Sequence, residues 1–228
     1  MRIPLTKYGW PQVVVYPVVV VVGMLGAALV GYGRAPVWAL ATVELALAAV
    51  LVWALMFFRD PHRDIPTDDA VLMAPADGKV TDIETLEETD LFTGPTLRIG
   101  VFLSIFNTHI NRAPCNVTVE KITYRKGRYV NAMNPLSSKV NESNTLVMVR
   151  ANEPKDRLAV KQISGAIARR IVCAAREEQQ LARGEKFGMI KFGSRTELYI
   201  PAHECLQCTV EVGDNVKAGI TPMVRYAK

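Results

Sequence analysis

The sequence predicts an α+β chain that is mostly β: an N-terminal hydrophobic helical hairpin followed by a β-rich body, a sandwich or open barrel. Three observations lead there. Two long apolar runs stand near the N-terminus, short β-branched or aromatic runs alternate with turn residues beyond them, and one later segment keeps helical spacing. A chain of 228 residues accommodates one ordinary domain with such an appendage. The expected boundaries are 1–58 for a membrane-anchoring hairpin, 59–70 for a linker and 71–228 for the body.

Residues Val13 to Gly33 carry no charge, and at about 1.5 Å per residue they match the roughly 30 Å of a bilayer core. Val37 to Phe58 repeats the pattern, interrupted only by Glu44, and the breaker-rich Gly31-Tyr32-Gly33-Arg34-Ala35-Pro36 joins the two. Pro17 is tolerated in a membrane helix, and Trp10, Trp38 and Trp53 stand near the expected interfaces. The length and the second partner argue against a cleaved signal peptide. Arg2 and Lys7 precede the hairpin, Arg59 and Arg63 follow it, and Arg34 alone sits in the turn. The positive-inside rule then places both ends in the cytoplasm, so the expected location is the cell (cytoplasmic) membrane with the body on its cytoplasmic face. A hairpin lying in one leaflet is the alternative geometry. Glu44 is the one acid at membrane depth, where the favoured reading has it reaching the headgroups.

The linker is rich in proline and charge. Beyond it, strands are expected at Val71–Met73, Lys79–Ile83, Leu97–Phe106, Val117–Tyr124, Leu146–Val149, Leu158–Ser164, Met189–Phe192, Glu197–Ile200 and Thr209–Val212. Ile167, Ile171 and Ala174 at helical spacing predict a helix over Gly165 to Leu181. Gly213-Asp214-Asn215-Val216-Lys217-Ala218-Gly219 looks like the turn of lipoyl-type hairpins, and Ala74-Pro75-Ala76-Asp77-Gly78 echoes it, so the body is expected to resemble lipoyl-type swapped hairpins.

The net charge is +5, and beyond Phe58 acids and bases nearly balance, too evenly for a nucleic-acid binder. The local cluster Lys121, Arg125, Lys126 and Arg128 either attracts anionic lipid headgroups or is a solvated hairpin edge. Cys205 and Cys208 have ligand spacing next to His203. Structural zinc usually takes two such pairs, so no metal site is expected, and cytoplasmic thiols stay reduced.

The chemistry centres on Phe192-Gly193-Ser194-Arg195, between the apolar runs Met189-Ile190 and Leu198-Tyr199-Ile200-Pro201. A Gly-Ser bond inside a predicted strand can be a self-cleavage site. Serine needs a neighbouring base to become a nucleophile, and glycine tolerates the angles that expose its carbonyl carbon. Alone the dipeptide is a common turn. It is accompanied, in order, by Phe57-Phe58-Arg59-Asp60-Pro61, Ala74-Pro75-Ala76-Asp77-Gly78-Lys79-Val80, Phe106-Asn107-Thr108-His109-Ile110-Asn111-Arg112-Ala113-Pro114 and Glu185-Lys186-Phe187-Gly188-Met189-Ile190-Lys191. Together these resemble the short, prokaryotic form of the phosphatidylserine decarboxylase proenzymes, from Phe57 to the C-terminus.

The resemblance implies self-cleavage at Gly193–Ser194 into 1–193 (the beta chain) and 194–228 (the alpha chain), which stay together as a heterodimer. It implies that Ser194 becomes a covalent pyruvoyl group, the only cofactor expected, which holds the substrate amine as a Schiff base and accepts the electrons left by CO2. The product of phosphatidylserine would be phosphatidylethanolamine, in phospholipid biosynthesis, and the partners a phospholipid and a membrane. The resemblance assigns His109 to the active site as proton carrier and Asp77 as third member of an Asp-His-Ser set. There is one departure. The larger family often has two histidines three residues apart, and here the second position is Arg112, which cannot act as base. Arg112 is open to binding a lipid phosphate or carboxylate, or to an ordinary salt bridge. Rival readings are decarboxylation of a related serine lipid (archaetidylserine), and a non-catalytic membrane-tethered lipoyl-like module modified at Lys217, whose flanking residues lack the usual context.

Overall fold

The computed structural model describes residues 4–134, 136–166, 170–191 and 193–227. The chain divides into two compact units, Met1–Pro61 and His62–Lys228.

The first unit is a helical hairpin of α1 (Gln12–Gly31) and α2 (Val37–Phe57). Pro17 lies inside α1, and no side chain of α1 is buried. Both helices are long and apolar enough to cross a membrane, which is compatible with membrane association. The ends of the unit pair with each other: Thr6 N–H donates to Phe58 O (2.9 Å) and Asp60 N–H to Pro4 O (2.7 Å). Glu44 is half-buried in α2, and Arg2 lies outside the described residues.

The second unit is a set of antiparallel sheets. In chain order its elements are β1 (Val71–Met73), β2 (Gly78–Leu86), β3 (Thr96–Leu103), β4 (Ile110–Arg112) and β5 (Val117–Arg125). The short helix α3 (Ser137–Val140) precedes β6 (Ser143–Arg150), β7 (Arg157–Ile163), β8 (Arg170–Cys173) and β9 (Gln180–Leu181). β10 (Lys186–Lys191), β11 (Ser194–Pro201), β12 (Leu206–Cys208), β13 (Asn215–Val216) and β14 (Pro222–Tyr226) complete it. Among the described residues the large sheet has the order β13-β2-β3-β11-β7-β6-β5-β9, with two three-stranded sheets, β1-β14-β12 and β4-β10-β8. Period-two alternation sorts the large sheet's faces. Leu198 and Ile200 join Ile99, Leu146, Leu158 and Val224 in the main core, whereas Tyr199 turns to the other face with Val147, Ala159 and Phe92. The two glycine-rich turns meet directly: Asn215 pairs with Lys79, Val216 with Gly78, and Gly219 N–H donates to Ala74 O.

The body is therefore mostly β, as expected, with three local corrections. The segment expected as a helix over Gly165 to Leu181 instead holds β8 and β9; Ile167 lies outside the described residues. Ile171 and Val172 are β-branched, and they pair with Ile190 and Met189 on β10. Thr209–Val212 is not a strand; the pairing falls earlier, at Leu206–Cys208, where β14 offers its edge. The run from Leu97 leaves the sheet at Leu103, because Ser104 and Asn107 close a turn there. Phe192, at the end of another expected strand, lies outside the described residues.

Candidate active site

Strand register brings four chain segments to one end of the large sheet. Lys79 pairs with Phe102, Ser194 with Leu103, and Arg195 with Ile163. Asp77 just before β2, Ser104 just after β3, Gly193 just before β11 and Gly165 just after β7 therefore belong to the same end of four adjacent strands.

His109 reaches this end by the chain's crossing between sheets. The chain leaves the large sheet after β3 and enters the small one as β4; it leaves the small sheet after β10 and returns as β11. The crossings run side by side, since Ile190 N–H donates to His109 O (3.2 Å) while Ser194 pairs with Leu103. The turn between them is locked by Asn107, whose Oδ1 accepts from Ser104 N–H (2.8 Å) and Ser104 Oγ (2.7 Å). His109 is fully buried, with Nδ1 3.0 Å from Asn107 O. A carbonyl can only accept, so Nδ1 donates its proton there, and in the neutral ring Nε2 then holds the lone pair of a base.

Gly193 has φ +60°, the left-handed region that an L side chain enters only with strain. Ser194 is fully buried, and its Oγ has no hydrogen-bond partner among the described residues. Leaving a buried hydroxyl unpaired costs roughly 1–3 kcal/mol, so such an atom calls for an explanation beyond stability. Gly165 lies against the Gly193 carbonyl. A Cβ built on Gly165 would stand 3.1 Å from the Gly193 carbonyl carbon and closer still to its oxygen. Asn141 holds that segment, its Nδ2 donating to Ser164 O (2.7 Å). Two exposed apolar side chains, Phe106 and Met133, directly follow Ile105 and Ala132, which approach Gly193 and Gly165 respectively.

Asp77 is buried, and its hydrogen bonds run to Arg63, at 2.7 and 2.6 Å, and to Ala218 N–H at 2.8 Å. The acceptor on His109 Nδ1 is Asn107 O, not Asp77. Arg63 was legible only as a linker charge, because nothing local to it signals a partner fourteen residues on. Arg112 is buried and donates to Gly184 O (2.9 Å), tying β4 to the turn before β10. Sequence reasoning also missed a buried row of amides. Asn111 Nδ2 donates to Thr196 Oγ1 (3.0 Å), Gln162 Nε2 to Asn111 Oδ1 (2.9 Å) and Asn144 Nδ2 to Gln162 Oε1 (3.1 Å). These residues lie far apart in the chain, so no spacing betrays them. Lys191, two residues before Gly193, is buried, and that burial, then Arg170, pushes its ammonium pKa down. Among the described residues no three His, Cys, Asp or Glu converge as metal ligands, and Cys205 and Cys208 are free thiols.

Known proteins resemble this chain over most of its length. Residues 50–223 match the family model described as phosphatidylserine decarboxylase. A phosphatidylserine decarboxylase proenzyme of Rhodopirellula baltica is 44% identical over 190 residues, covering 83% of this chain and 77% of that protein. Proenzymes of the same name from Magnetococcus marinus and Syntrophus aciditrophicus are 36% identical over 219 residues and 38% identical over 200. The former pair covers 96% of this chain and 94% of the relative, the latter 86% and 92%.

Proposed function

Because the chain belongs to the phosphatidylserine decarboxylase family, we propose that it cleaves its own Gly193–Ser194 bond and then decarboxylates phosphatidylserine to phosphatidylethanolamine in phospholipid biosynthesis. One observation carries this reading: a serine hydroxyl, buried and without a hydrogen-bond partner among the described residues, that follows a glycine in the left-handed region.

The chain's own residues supply the cleavage. His109 Nε2 takes the Ser194 proton as Oγ attacks the Gly193 carbonyl carbon, and the amide becomes an ester. Elimination across Cα and Cβ of Ser194 breaks the ester C–O bond and leaves residues 1–193 with a carboxylate end. Hydrolysis of the new terminus releases ammonia and leaves a ketone in place of the amine. The residues present fit such a group, since among the described residues Ser194 Oγ has no hydrogen bond that the reaction must break. A pyruvoyl ketone supplies the electron sink that removal of CO2 needs. Gly165 keeps the Gly193 carbonyl in place and admits no side chain beside it. Asp77, gripped by Arg63, contributes through its charge at the same strand ends rather than through a bond to His109. Phe106 and Met133 offer apolar surface to a substrate with acyl chains. The hairpin anchors the chain in the cytoplasmic membrane, with the body on the cytoplasmic side.

Mass spectrometry of the purified full chain tests this. Wild type should give 1–193 and 194–228, the shorter lacking a free amine and reacting with carbonyl reagents. Ser194→Ala should remain one chain and convert no phosphatidylserine. An intact wild-type chain without a carbonyl that still releases phosphatidylethanolamine would overturn the proposal.

A further inference from the structure

The face of the large sheet opposite the Ser194 hydroxyl carries a second feature. Along β11 the odd positions turn away from the core side of Ser194, Thr196 and Leu198, and Tyr199 lines a cleft of about 570 Å3. Period two carries the same face across the neighbouring strands: Lys121, Thr123 and Arg125 on β5, Thr145 on β6 and Lys161 on β7. Lys139, on α3, closes one side.

Six cations line this trough, and two are matched. Arg98 pairs with Glu84 and Asp82, and Arg157 grips Glu120 through Nε and Nη2. Among the described residues no carboxylate pairs with Lys121, Arg125, Lys139 or Lys161. Two of these converge on one neutral atom, the Ser138 carbonyl oxygen, with Lys161 Nζ at 2.8 Å and Arg125 Nη2 at 3.4 Å. Arg125 also donates to Lys139 O. The free carboxylates of the lining, Glu88 and Asp90, belong to the segment before β3 and offset two of the four charges. Like charges do not gather on a carbonyl without cost. Burial presses the Lys161 ammonium towards its neutral form; Glu197 and, less strongly, Asp90 oppose this while Arg125 and Arg98 add to it. An anion with several acceptor oxygens relieves both strains, and hydroxyls of Thr123 and Thr145 stand ready to complete its shell.

We propose that this trough is a phosphate-binding site, separate from the Ser194 end, that takes either the phosphate of an anionic phospholipid headgroup or a soluble phosphate. The site does not depend on self-cleavage. It gives the basic cluster around Lys121 and Arg125 a ligand of defined chemistry.

Amine acylation of the full chain, followed residue by residue by mass spectrometry, tests the site and its source of phosphate. The chain is placed in phosphatidylcholine nanodiscs and titrated with inorganic phosphate, with sodium chloride at matched ionic strength as reference. Labelling of Lys161 should slow about tenfold when phosphate stands at about ten times its Kd. Lys139→Glu, on the surface, and Lys161→Met should each weaken that protection roughly tenfold, the latter read at Lys121. Nanodiscs containing phosphatidylglycerol, with no phosphate added, form the second arm. Protection there identifies a lipid headgroup as the ligand, and protection by inorganic phosphate alone identifies a soluble one. If neither protects Lys161, or chloride protects it equally, the proposal is overturned, whatever happens at Gly193–Ser194.

Discussion

At the scale of single residues, the site rests on atoms that the sequence could not bring together. Ser194 and Gly193 were legible because their dipeptide stands in characteristic company. Gly165 was not, since only the antiparallel register of β7 and β11 sets it opposite Gly193. Nor was the tautomer of His109, which depends on Asn107 O, or the grip of Arg63 on Asp77. The close approach of Gly165 has a direct consequence. A methyl group there must displace the Gly193 carbonyl, because the atoms it would meet are backbone and cannot rotate away. Misplacing a reacting atom by about 1 Å can cost on the order of a hundredfold in rate. Gly165→Ala is thus expected to slow conversion into the two fragments by about that factor. The same clash strains the folded backbone, so the thermal midpoint, taken on a Ser194→Ala background where no cleavage intervenes, should also fall below that of Ser194→Ala alone, and the slowing is read at a temperature where both chains are folded. Conversion at the wild-type rate, followed by gel or mass, would show that the carbonyl does not need this glycine.

At the scale of elements, β11 carries the proposed nucleophile on one face and a stabilising cluster on the other. Ser194 and Thr196 turn inward, while Arg195 and Glu197 form a buried ionic cluster on the other side. Arg195 Nε donates to Glu197 Oε1 (2.7 Å) and Nη2 to Asp82 Oδ1 (2.6 Å), while Glu197 Oε2 accepts from Ser138 Oγ and Tyr199 OH. Removing one partner strands a buried charge, so Arg195→Met should cost roughly 3–5 kcal/mol, read as a lower midpoint in thermal unfolding. Burial by itself would raise the Asp82 pKa, but the bonds and charge of Arg195 outweigh it and hold the carboxyl below its ordinary 3.8. A depressed carboxyl stabilises the fold above that ordinary value and loses the contribution as pH falls through the folded value. Thermal midpoints should therefore drop on acidification below about pH 4, and Asp82→Asn should flatten that drop while lowering the midpoint at neutral pH. Strands of β-branched residues between turns were readable here, including both neighbours of β11. β8 was not, because Ile171 and Ala174 repeat at three residues and simulate a helix. Its strand state comes from the open edge of β10, a tertiary partner that local spacing does not encode.

For the whole molecule, the order of strands decides what the proposed self-cleavage would leave behind. The hairpin and the β-rich character of the body could be read from hydropathy and turn spacing. The crossing of β3 into β4 beside β10 into β11 could not, because it is a property of pairing between segments far apart in the chain. That crossing puts the Gly193–Ser194 bond at the junction of two sheets, where the chain can be broken without removing a ladder. After such a break β11 would still lie between β3 and β7, where its register runs from Ser194–Leu103 to Pro201–Thr96 on one side and from Arg195–Ile163 to Tyr199–Ala159 on the other. β14 would still hold β1 and β12, and β13 would still hold β2. Leu198, Ile200, Met223 and Val224 would remain in a core built mainly by residues 1–193. Losing the shorter chain would expose that apolar surface and leave the edges of β3 and β7 unpaired, a far larger cost than the few kcal/mol by which domains are usually stable. Fragments 1–193 and 194–228 should accordingly travel together through size-exclusion chromatography in mild detergent and part only in guanidinium chloride. Release of 194–228 under native conditions would mean that β11 is held by the covalent chain rather than by its ladders, and would contradict a central place for β11 between β3 and β7.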